Sequence, residues 1–111
     1  NITITMENKE KILLFKKITL LINKKFCKGK LVIKEINLFD GFHKKREVKG
    51  YYKIKKRIIS IGENNSLLSQ INTLIHELAH AYSRQISGSK RGHTKKFRKV
   101  VREFSKFIDK K

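Results

Sequence analysis

His76 and His80 are separated by three residues, and Glu77 follows the first of them, in the run His76-Glu77-Leu78-Ala79-His80. On an α-helix, positions four apart lie roughly 40° apart around the axis and about 6 Å apart along it, so two imidazoles at this spacing can meet one metal ion. A carboxylate beside the first histidine can then serve as base toward a water activated by that ion. The chemistry this pattern suits is metal-assisted hydrolysis. The helix that must carry it is predicted from about Leu67 to Ile86, closed by Gly88. Leu67, Leu68, Ile71, Leu74, Ile75, Leu78, Ala79, Tyr82 and Ile86 fill one apolar arc at about 100° per residue. Thr73, His76, Glu77 and His80 fall on the opposite side, away from where core histidines would sit.

Catalytic zinc takes three protein ligands and keeps one position open. His93 follows His80 across a glycine-bearing loop, just ahead of a last helix predicted over Thr94 to Asp109. Phe97, Val100, Val101, Phe104 and Ile108 form the apolar stripe of that helix, and extending it back one step places His93 within the stripe, pointing inward. Glu103 is the rival third ligand, but its phase points it sideways, so His93 is preferred. A third histidine six residues after His80 is excluded, because position 86 is Ile, and the only methionine is Met6, so no downstream methionine turn exists. Cys27, the single cysteine, excludes an internal disulfide or a four-cysteine zinc ribbon and is expected to pack rather than react.

The run His76-Glu77-Leu78-Ala79-His80-Ala81, a loop, and then Gly92-His93-Thr94-Lys95-Lys96-Phe97 resembles the SprT-like metallopeptidases, the family that includes the Spartan proteases of DNA–protein crosslinks. The resemblance covers about Val48 to Phe104. It implies a zincin-like fold, zinc on His76, His80 and His93, and Glu77 as catalytic base. Many members carry a C-terminal zinc ribbon for DNA, which is not expected in this chain.

The elements that must position these residues are short. Glu7 to Phe26 places Leu14, Phe15, Ile18, Leu21 and Ile22 at helical spacing, with Gly29 as breaker. Leu31 to Leu38 is predicted as a strand ending at Asp40-Gly41, and Val48 to Ile54 and Arg57 to Ile61 as two more. The Arg57 to Ile61 strand is expected to offer a sheet edge for an extended peptide. The loop from Gly62 to Ser66 delivers a helix cap at Asn65 or Ser66. The expected fold is therefore α+β in a single domain over residues 1–111: an N-terminal helix, a small three-stranded antiparallel or mixed sheet, the active-site helix and a C-terminal helix.

At 111 residues, with 28 Lys and Arg against nine Asp and Glu, the chain carries a formal charge of +19. His43 to Arg57 and Lys90 to Lys111 hold much of that excess, which suits a polyanionic partner such as nucleic acid. The longest apolar stretch is interrupted by Lys16 and Lys17 and is too short to span a bilayer, so a soluble, intracellular monomer with no membrane partner is expected. The leading reading is a zinc-dependent endopeptidase acting on a protein or peptide substrate. Tyr51, Tyr52, Tyr82 and Arg84 are candidates to steady its oxyanion. The alternatives are a basic nucleic-acid-binding module with a non-catalytic metal site, or a zincin fold serving as a toxin, an inhibitor or a partner-binding protein.

Overall fold

In the computed structural model, which describes residues 6–89 and 92–111, helix α1 spans Asn8–Phe26. Phe15, Ile18 and Ile22, spaced three and four apart, are its buried residues, while Leu13 and Leu20 stay exposed. Gly29 ends it with φ +78, a left-handed conformation that costs a glycine little, and its N–H reaches the Asn23 carbonyl at 3.1 Å.

Residues 31–34 carry no regular structure, and strand β1 spans Glu35–Phe39. The expected strand from Leu31 starts late because its first backbone groups are bound elsewhere. The Asn23 amide donates to the Leu31 carbonyl and accepts its N–H, each at 2.9 Å. The Gln85 amide does the same for Val32, each at 2.8 Å. Two side-chain amides thus anchor this segment to two helices.

A hairpin absent from the sequence reading follows, β2 (Phe42–His43) against β3 (Arg46–Glu47). Lys44 and Lys45 both have positive φ, the left-handed pair that a two-residue type I′ turn requires. Strands β4 (Gly50–Lys53) and β5 (Ile58–Gly62) complete a mixed sheet of order β1-β5-β4. The β1 and β5 strands are parallel, and β4 and β5 are antiparallel. One expectation is overturned here. The strand ending at Ile61 is central, with Ile59, Ser60 and Ile61 buried, so it offers no free edge. The edge strand on the active-site side is β4.

Helix α2 spans Leu67–Gln85, and the Ser66 hydroxyl at its N-cap accepts the Ser69 N–H. Helix α3 spans Lys95–Asp109, capped likewise by Thr94, whose hydroxyl accepts the Phe97 N–H at 3.1 Å. Phe104 of α3 is buried against Phe26 and Tyr82, at ring separations of 4.8 and 5.8 Å. All three helices contribute to one apolar cluster that also takes in Ile36, Ile59 and Ile61 of the sheet. No described helix is long and apolar enough to cross a membrane.

Candidate metal centre

The apolar arc of α2 faces this core through Leu74, Ile75, Leu78 and Ala79, but the opposite side is not simply solvated. Strand β4 lies over it. Gln70, Thr73, Glu77 and Ser83 are buried there, whereas Leu68 and Ile86, counted in the apolar arc, are exposed. A methyl group on Gly50 would stand 2.5 Å from Cγ2 of Thr73, so the bare glycine is what lets β4 approach the helix this closely.

At this junction the three histidines meet. Nε2 of His93 lies 3.1 Å from Nε2 of His76 and 3.1 Å from Nε2 of His80. Two nitrogens each about 2.05 Å from a tetrahedral zinc are about 3.3 Å apart, close to these two separations, and the ligand atoms of all three histidines lie within 4.8 Å of one another. His76, His80 and His93 form the group able to hold a metal ion among the described residues, and Glu103 is exposed and not part of it. His93 arrives by a different route from the one expected. Thr94 takes the N-cap, which leaves His93 outside the helix and exposed, reaching over the site rather than pointing from an apolar stripe. Lys90 and Arg91 lie outside the described residues.

Phe97 organises the three rings. It is buried in the first turn of α3, with ring centroids 5.1 Å from His76, 4.4 Å from His80 and 5.2 Å from His93. Its ring packs on all three imidazoles and so helps to fix their orientation. From the sequence alone Phe97 reads as an ordinary core residue. Its position four after His93 was the available signal.

The electrostatics suit a cation. Burial, and then the neighbouring His93, lower the His76 pKa. Burial, followed by His76, His93 and Arg84, pushes His80 down to about 4. Both imidazoles are therefore neutral near pH 7 and can present lone pairs. Burial raises Glu77 to about 7, so this carboxyl stands near neutrality as a proton acceptor. Cys27 is buried away from this group, and burial raises its thiol to about 11, which leaves it unreactive.

Two cavities of about 510 and 390 Å³ open between β4 and α2, and Gly50, His76 and Glu77 line both. Tyr51, Tyr52 and Arg84 also line the second, while Tyr82 packs on Phe104 in the core. The Tyr52 hydroxyl accepts a hydrogen bond from Gln85 at 2.9 Å. Lys49 and Gly50 form part of the cleft wall.

A small α+β domain in which two histidines and a buried glutamate on one helix meet a third histidine from the segment before the last helix is the arrangement of a zincin-like domain. The SprT-like family model matches residues 15–110, nearly the whole chain, and the chain belongs to that family. Comparison with curated proteins and with solved structures returned no significant match.

Proposed function

We propose that this protein is a zinc-dependent endopeptidase in which His76, His80 and His93 hold the metal and Glu77 is the general base. The observation that carries the reading is the convergence of three Nε2 atoms beside a buried carboxylate, beneath an edge strand. Zinc bound there would supply Lewis acidity toward the scissile carbonyl and toward water. Glu77 takes a proton from the attacking water and passes it to the leaving amine. Its burial under β4 raises its pKa to about 7, which suits a group that must both accept and release a proton near neutral pH. The free edge of β4 pairs with an extended peptide and lays it across the cleft, with backbone hydrogen bonds holding the chain irrespective of sequence.

The decisive experiment is Glu77→Gln. The amide is nearly isosteric and is not a ligand, so zinc content stays at the wild-type level while peptide cleavage falls by about 10²-fold or more. A variant that keeps most of its cleavage rate would remove Glu77 from this role.

The basic surface favours a polyanionic partner in addition. Lys44, Lys45 and Arg46 on the β2–β3 hairpin and Lys95, Lys96 and Lys99 on α3 are all exposed. Nucleic acid bound to these side chains would hold the protease on a template through phosphate contacts.

A further inference from the structure

A third cavity, of about 470 Å³, opens on the α3 side of the metal centre, lined by His76, His93, Phe97, Arg98, Val101 and Arg102. Its composition is unlike that of the two cavities under β4. Phe97 is buried and Val101 half-buried, giving an apolar floor, while Arg98 and Arg102, four apart on α3, supply two guanidinium groups. Side chains at this spacing start about 5–6 Å apart, so both can reach one carboxylate. Among the described residues neither guanidinium makes an ion pair or hydrogen bond, and no acidic residue lines the groove. The other two cavities add Lys49 and Arg84, and Glu77 is the sole carboxylate in either.

From this groove we infer that the site selects polypeptides carrying a glutamate or aspartate close to the scissile bond, and that Arg98 and Arg102 are the residues that read it. The inference rests on the peptidase reading and names the substrate class for it. The apolar floor accepts the methylene stem of the acidic side chain, and the paired guanidinium groups take its carboxylate in the forked geometry that arginine favours. A phosphodiester backbone has no such stem, so an acidic side chain matches the groove better than nucleic acid does. A lysine at the same position meets two unpaired cations and is rejected, which gives selectivity by repulsion as well as by attraction.

The test uses matched peptides that differ only in carrying Glu or Lys at successive positions around one cleavable bond. Their affinity is measured by fluorescence anisotropy on the zinc-loaded Glu77→Gln protein, and their kcat/KM on the wild type. At one position Glu should bind about tenfold more tightly than Lys, with the gap narrowing as salt rises. Arg98→Glu with Arg102→Glu should invert the preference while zinc content stays unchanged. Both side chains are on the exposed face of α3, and the single changes Arg98→Gln and Arg102→Gln, which should each shrink the preference, serve if the double variant misfolds. Equal binding of Glu and Lys peptides at every position, or a preference that survives the charge reversal, would overturn the inference. So would a Glu peptide displaced from the groove by a single-stranded oligonucleotide whose own binding requires Arg98 and Arg102. Selective binding without cleavage by the wild type would leave this inference standing and remove the peptidase reading instead.

Discussion

Gly50 on β4 and Thr73 on α2 are packed so closely that a Cβ at Gly50 would lie 2.5 Å from Thr73 Cγ2 and 2.8 Å from the Ser60 carbonyl oxygen. This contact sets the height of the edge strand above the helix face that bears His76, Glu77 and His80. Gly50→Ala should destabilise the protein by about 1–3 kcal/mol through overpacking and lift β4 from the cleft floor. Adding Thr73→Ser, which removes the Cγ2 methyl, should restore part of that loss but not all, because the Ser60 backbone cannot retreat. Thermal or urea unfolding of the two single variants and the double variant measures the coupling directly.

The burial of Glu77 should make metal-free stability depend on pH in a definite direction. Its folded pKa of about 7 lies above the unfolded value of 4.5, so the folded state holds the proton more tightly. Stability from this group is fully present below pH 4.5 and is lost as pH rises through 7. His76 and His80 have lowered pKa values and act oppositely, losing stability as pH falls below 6.5. Comparing wild type with Glu77→Gln isolates the glutamate. In chelator-treated protein the variant should gain stability over wild type between pH 4.5 and pH 8, by an amount of order 3 kcal/mol. A difference that does not change with pH would place Glu77 in a solvated setting.

The basic surface predicts nucleic-acid binding governed by counterion release. Affinity for DNA should be largely independent of sequence and should fall by roughly 10³-fold from about 50 to 200 mM salt if six phosphates are neutralised. Replacing Lys95, Lys96 and Lys99 with Glu should weaken binding and leave zinc content unchanged. Titration of fluorescent single- and double-stranded oligonucleotides provides the measurement, and absence of binding at 50 mM salt would reduce the +19 charge to a solubility feature.

The helices were legible from the sequence because each announces itself locally. Ser66 and Thr94 cap α2 and α3, and Leu74, Leu78, Phe97 and Phe104 repeat at helical spacing. Strand pairing was not legible, since the parallel match of Glu35–Phe39 with Ile58–Gly62 joins segments far apart in the chain and no local pattern encodes it. For the same reason the wrong strand was expected at the edge. Each strand of the β2–β3 hairpin is two residues long, too short for alternation to register. In the site, the spacing of His76 and His80 identified the helix-borne pair without tertiary information. The position of His93 depends on where α3 begins: with Thr94 as its N-cap, His93 reaches His76 and His80 from outside the helix and not from an inward-pointing stripe. The packing of Phe97 on the three imidazoles, of Gly50 on Thr73, and the placing of Arg98 and Arg102 in one groove come from tertiary structure.

Metal stoichiometry is the most direct test of the proposed zinc centre. Element analysis of the purified protein after exhaustive dialysis should find one zinc per chain. His76→Ala combined with His80→Ala should bring that to zero. His93→Ala should weaken affinity more than about 100-fold, beyond what losing a mere supporting partner does, and Glu103→Ala should change little. Full zinc occupancy in the His76→Ala/His80→Ala protein, or loss of zinc with Glu103→Ala but not with His93→Ala, would contradict the site built on these three histidines.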